Sequence, residues 1–116
     1  MSPRRKATAT TVTDAAPVFA ALGDATRLKL VARLCADGPQ SIASLSEDAG
    51  VSRQAVTKHL HALGLAGLVR DDWRGRERIF QLEPRRLELA RRSLDHIAEQ
   101  WDDVLRRLQT FVEDTP

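Results

Sequence analysis

A single cysteine in 116 residues is the first constraint on this chain. Cys35 alone rules out an intramolecular disulfide and any Cys-x-x-Cys pair for zinc or redox chemistry, and it reads as a small core residue of a helix. No apolar run approaches the roughly 20 residues that span a bilayer. The opening MSPRRKATATTVTD also lacks the apolar stretch of a secretion signal, so a soluble, cytoplasmic protein is expected. Catalytic constellations are missing as well: no Ser/His/Asp set, paired-carboxylate site, Gly-rich phosphate loop or metal-ligand cluster stands out. The expectation is a non-enzyme without cofactor or metal. The formal charge is only +2, so where charge sits matters more than its sum. Apolar residues at 42% suffice for the core of one domain.

What is present centres on Val51 to Leu68, VSRQAVTKHLHALGLAGL. At roughly 100° per residue, Val56, Leu60 and Leu63 share one stripe of a helix, and Gln54, Thr57, Lys58 and His61 share an arc about 100° wide on the opposite side. The second set is hydrogen-bonding side chains of the kind that read DNA bases. His59, on the flank of the apolar stripe, reads as a structural histidine. Ser52 supplies an N-cap, and Gly50 can close a preceding helix in a left-handed conformation. That partner is predicted over Ser44 to Ala49, with a Ser44-x-x-Glu47 capping box and Leu45 and Ala49 turned inward. Two helices across a tight turn make a helix-turn-helix.

After it, DDWRGRERIFQL places Gly75 in a turn between Trp73 and Arg78, with Ile79, Phe80 and Leu82 as strand formers. This is a β-hairpin, the wing of a winged helix. Between Val51 and Phe80, the basic Arg53, Lys58, Arg70, Arg74, Arg76 and Arg78 outnumber the acidic Asp71, Asp72 and Glu77. Arg74 and Arg76 flank the turn, so the tip is basic where a phosphate backbone would lie.

Upstream, two helices are predicted. The first starts at Pro17, carries Val18, Phe19 and Leu22, and ends at Gly23. The second is capped by Asp24, turns Leu28, Val31, Ala32 and Leu34 or Cys35 inward, and stops at Asp37-Gly38-Pro39. Residues 1–14 lack periodicity and are expected to form a disordered basic tail, with 15–116 as the folded domain; Arg4, Arg5 and Lys6 make that tail basic. Downstream, Leu87, Ala90, Leu94, Ile97, Trp101, Val104, Leu108 and Phe111 alternate spacings of three and four over almost four heptads. Glu88 with Arg92, Asp102 with Arg106 and Asp103 with Arg107 are spaced for i,i+4 pairs. A helix from about Arg85 to Val112 would be about 40 Å long, more than its own domain can cover. A two-fold partner would bury the seam.

Three segments, FAALGDATRLKLVARL (Phe19 to Leu34), ASLSEDAGVSRQAVTKHLHALGLAGLV (Ala43 to Val69) and RERIFQLEP (Arg76 to Pro84), resemble the ArsR family of winged helix-turn-helix repressors in order and spacing. The resemblance spans about residues 15 to 112. It implies a mainly α fold with a small β-hairpin and a homodimeric repressor of transcription, autoregulatory in some relatives, that binds an imperfect palindrome. The Ser52 to Leu65 helix would enter the major groove. Gln54, Thr57, Lys58 and His61 would read bases, and Ser52, Arg53, Arg74, Arg76 and Arg78 would hold the DNA backbone. Phe19, Leu22, Leu94, Ile97, Trp101, Val104, Leu108 and Phe111 would form the dimer interface. Where metal-sensing members carry a Cys-x-Cys-type motif, this chain has Ser44-Leu45-Ser46-Glu47. On the last helix it offers only the adjacent Asp95 and His96, which point about 100° apart, so a metal sensor is not expected. Two rival readings stand beside this one: a winged helix that binds protein without reading DNA, and a repressor controlled by a small-molecule effector near Trp101.

Overall fold

Eight elements follow one another in the described part of the computed structural model, residues 3–114, whose side chains are described from residue 13. They are α1 (Pro3–Leu22), α2 (Ala25–Asp37), β1 (Gln40–Ser41), α3 (Ile42–Ser46), α4 (Arg53–Leu65), β2 (Val69–Arg74), β3 (Glu77–Leu82) and α5 (Pro84–Glu113). The strands form one antiparallel sheet in the order β1-β3-β2. The architecture is a winged helix-turn-helix with a long C-terminal helix.

The core is assembled around α4. Val56, Leu60 and Leu63 are buried together with Leu30, Val31 and Leu34 of α2, Leu45 of α3, Leu68, and Phe80 of β3. These are the three α4 residues that helical periodicity assigns to the interior. The wing closes over them in register from Val69 opposite Leu82 to Arg74 opposite Glu77. Its turn has two residues, Gly75 and Arg76, and only Gly75 has positive φ (64°), the pattern of a type II′ hairpin turn.

Five local details depart from the sequence expectations. Helix α1 begins at Pro3 rather than Pro17, so the segment expected to be disordered up to residue 14 is helical from Pro3 onward. From Ala15 onward the helix is held by packing that composition does not show: Ala15, Val18 and Ala21 are buried at three-residue spacing where α1 lies along α5. Small residues on α5, Ala90 and Ser93, are buried there too, and the Ser93 hydroxyl donates to the Leu89 carbonyl at 3.0 Å. Pro17 withholds one intrahelical donor, yet the helix continues through it. The side chains of Arg4, Arg5 and Lys6 lie outside the described residues.

Helix α2 is turned by about one residue relative to the expected phase, so Leu30, Val31 and Leu34 point inward while Leu28, Ala32 and Cys35 are exposed. Cys35 is therefore a surface thiol and not a core residue. The helix before the turn is Ile42–Ser46, not Ser44 to Ala49. Its cap is Ser41, whose hydroxyl accepts from the Ser44 N–H at 3.1 Å, because the β1 pairing of Gln40 with Phe80 and Ser41 with Ile79 starts the helix early. The strand β1 was not foreseen. On α5, Arg91 pairs with Glu88 and Arg106 with Asp103, both at i,i+3 in place of the i,i+4 partners expected.

Arg33 of α2 joins the two halves of the motif. Its guanidinium donates to the carbonyls of Ser44 (3.0 Å), Leu45 (3.2 Å) and Glu47 (2.8 Å) at the end of α3, where the Ser44 carbonyl also accepts from the Glu47 N–H. One cation thus fixes the α3 terminus against α2, and the chain then reverses through Asp48 (φ 58°) and Gly50 (φ 74°) into α4.

Replacing Leu60 with Ala removes the centre of this packing and should lower unfolding free energy by about 2–5 kcal/mol in urea denaturation. A loss below about 1 kcal/mol would mean that α4 is not seated through this stripe.

Candidate nucleic-acid interface

The buried stripe of α4 determines what its other side presents. Gln54, Lys58 and His61 are exposed and Thr57 is half-buried, all on the arc opposite Val56, Leu60 and Leu63. The helix is capped by the Ser52 hydroxyl, which accepts from the Ala55 N–H at 3.1 Å. Ser52 therefore spends that acceptor on the helix itself. Thr57 donates its hydroxyl proton to the Arg53 carbonyl at 3.0 Å, which leaves its oxygen as an acceptor.

Beside this arc, α4 and the wing enclose a groove of about 670 Å³. Thr57, Lys58, His61 and Leu65 form one wall, and Arg70, Asp71, Arg78 and Phe80 the other. The wing arginines divide into two groups. Arg74 and Arg76 are exposed at the turn. Arg78 is bound: its Nε donates to Asp71 Oδ2 at 2.6 Å, and its guanidinium lies 5.0 Å from the Phe80 ring centroid. Arg70 is drawn toward Glu83, 3.6 Å away. The structure thus brings Gln54, Lys58, His61, Arg53, Arg74 and Arg76 to the solvent side, while Arg78 already holds an intramolecular partner.

A second network ties α4 to the N-terminal helices. The Arg27 Nε donates to the Ala21 carbonyl of α1 at 2.6 Å, and its Nη1 lies 3.4 Å from Nδ1 of His59 on α4. Asp24 caps α2 by accepting from the Arg27 N–H at 2.9 Å and stands 3.8 Å from the same imidazole nitrogen. That backbone hydrogen bond is the largest influence holding the Asp24 carboxyl below its ordinary value of 3.8; partial desolvation opposes it, and the charges of His59 and Arg27 assist it. His59 is a half-buried connector here, as its flank position predicts.

Of the residues expected at a dimer interface, Leu94, Ile97, Trp101, Leu108 and Phe111 are exposed, with Trp101 at 60%, and Leu105 and Val112 extend the same apolar face. Val104 is half-buried, and Phe19 and Leu22 are partly spent on the core of the chain. Among the described residues no three His, Cys, Asp or Glu side chains gather to hold a metal ion, and no helix is long and apolar enough to cross a membrane.

A profile described as a helix-turn-helix domain matches residues 22–72, which hold α2, α3, α4 and the start of the wing. The HTH-type transcriptional regulator Rv2034 of Mycobacterium tuberculosis is 45% identical over 75 residues, 65% of this chain and 69% of that protein. An ArsR-like transcriptional regulator from Rhodococcus sp. RHA1 superposes with a TM-score of 0.75 at 37% identity, over 91% of this chain and 99% of that one. The chain belongs to the ArsR family. A more distant member of the same fold, from Mycobacterium bovis, is described as a homodimeric winged helix-turn-helix DNA-binding domain. It is 21% identical with a TM-score of 0.59, over 86% of this chain and 89% of that fragment.

Within this ArsR-family frame, Trp73 is the residue that sequence reasoning passed over, using it only to mark the edge of the turn. Alternation along β2 was the available signal, since it sets Trp73 on the face of Asp71 and opposite Arg78.

The Asp24 network carries a pH dependence. Its carboxyl is lowered in the folded chain, so the ionised form contributes stability above pH 3.8 that is lost as the pH falls through the folded value. Asp24→Asn keeps a capping oxygen but not the charge. Its melting temperature should lie below that of the parent at pH 7, with the gap closing under acid conditions below pH 3.8; a gap independent of pH would contradict this assignment.

Proposed function

We propose that this chain is a homodimeric transcriptional repressor whose two α4 helices read half-sites of an imperfect palindrome. The observation that carries the reading is the orientation of α4. Its apolar stripe is locked in the core, so Gln54, Lys58 and His61 project together from a helix flanked by a wing with Arg74 and Arg76 free at its tip. Gln54 has the amide geometry for bidentate contact with adenine. Lys58 suits guanine or a phosphate, and His61 and the Thr57 oxygen suit base edges or backbone groups. Arg53, Arg74 and Arg76 would neutralise phosphates, which position the protein without reading sequence. Arg78 has the lesser part in this scheme, since contact with DNA would compete with Asp71 for its guanidinium.

The exposed α5 face supports the dimer. Leu94, Ile97, Trp101 and Leu108 line one side of a 30-residue helix and are about half exposed or more in the single chain, an apolar surface that a second copy would cover. To read a palindrome, such a dimer must hold its two α4 helices about one helical turn of DNA, roughly 34 Å, apart. Repression, exerted in the cytoplasm by occupying a promoter, follows from the family habit of the ArsR regulators. The homodimeric description of the M. bovis protein supports the same assembly for this fold.

Sedimentation tests the assembly on which the palindrome depends. The parent chain should sediment as a dimer, and Trp101→Asp, which sets a carboxylate in the centre of the seam, should sediment as a monomer with its helical circular dichroism intact. A dimer that survives the substitution would remove α5 from the interface.

A further inference from the structure

The wing presents a large aromatic side chain to solvent. Trp73 is 65% exposed, although it belongs to the β2 face whose neighbour Asp71 stands opposite the buried Phe80. That face looks toward the helix-turn-helix, and there Trp73 helps to line a second groove, of about 260 Å³, opposite the one beside Lys58 and His61. Ile42 and Ala43 of α3 line it too, with Arg53 of α4 and with Arg76, Glu77 and Arg78 of the wing, so its cations outnumber the one carboxylate. Among the described residues neither Arg53 nor Arg76 makes an ion pair. Arg78, the cross-strand partner of Trp73, is held by Asp71 and Phe80 and leaves most of the indole uncovered.

A flat apolar ring sharing a groove with two cations that make no ion pair matches the alternation of a nucleic-acid backbone, in which an apolar deoxyribose face separates consecutive phosphates. Resting on the DNA-binding reading above, we propose that this groove seats one DNA backbone strand, with Trp73 packed on a deoxyribose and Arg53 and Arg76 on the phosphates either side. The ring lines the groove one residue before Arg74 and the turn, so its place favours a sugar at the edge of the minor groove over insertion between base pairs. A contact of this kind is independent of sequence, and it makes a distinction that charge alone does not: burying an indole against sugar releases no counterions, whereas an Arg–phosphate contact does.

The test is fluorescence anisotropy of a labelled random-sequence duplex titrated with the full chain across a series of salt concentrations. Trp73→Ala should weaken binding about three- to tenfold with the slope of log affinity against log salt unchanged, and Trp73→Phe should recover part of the loss. Arg76→Ala should instead lower the magnitude of that slope by about one. If the parent binds and Trp73→Ala binds equally well, or loses salt dependence as Arg76→Ala does, the seat for the sugar is wrong and the DNA reading stands. If the parent binds no duplex at any salt concentration, the DNA reading itself fails and this proposal falls with it.

Discussion

The interface depends on one constraint: three residues of α4 cannot leave the core. Val56, Leu60 and Leu63 are almost entirely buried, and an α-helix with that stripe turned inward has no freedom in what it turns outward. Gln54, Lys58 and His61 face solvent because the apolar stripe is opposite them. Orienting the polar face this way costs no polar group its hydrogen bonds, since the residues that hold the helix and those proposed to meet DNA are different residues on different sides.

Around that stripe, polar contacts set where the helix sits. Arg33 gathers three carbonyls at the end of α3 and holds the turn against α2, while Arg27 links the Ala21 carbonyl of α1 to His59 on α4. Helix α1 packs along α5, which carries the exposed apolar seam. The path from the seam to α4 therefore runs through packed helices and a few directed hydrogen bonds. In the wing, charge is divided by pairing: Arg78, one residue pair in from the turn, is neutralised by Asp71, and Arg74 and Arg76 remain available at the tip. A simple count of arginines would overstate the positive charge offered to a phosphate.

Strong, long periodicities were legible in the residues themselves. The α4 stripe, the Ser52 cap, the Gly75 turn and the extent of α5 from Pro84 all follow from spacing and turn chemistry. What escaped depended on distant partners. The packing of α1 from Ala15 depends on α5, the two-residue β1 on its pairing with Ile79 and Phe80, and the two-residue shift of α3 on that same pairing. In α2, Val31 fits both possible apolar stripes, so the choice between Leu28 with Cys35 and Leu30 with Leu34 was made by the surrounding core. At the site, residue types located the exposed polar arc of α4 and the basic tip, but they did not reveal that Arg78 is already paired or that Trp73 borders a cationic groove.

The most direct test of a dimeric reader is selection of bound duplexes from a random DNA library by the purified chain at physiological salt, where non-specific binding is only about 10⁻⁴ to 10⁻⁶ M. The account predicts enrichment of an inverted repeat whose half-site centres lie about one helical turn apart. Absence of any enriched sequence, with the protein folded and dimeric in the same buffer, would contradict it.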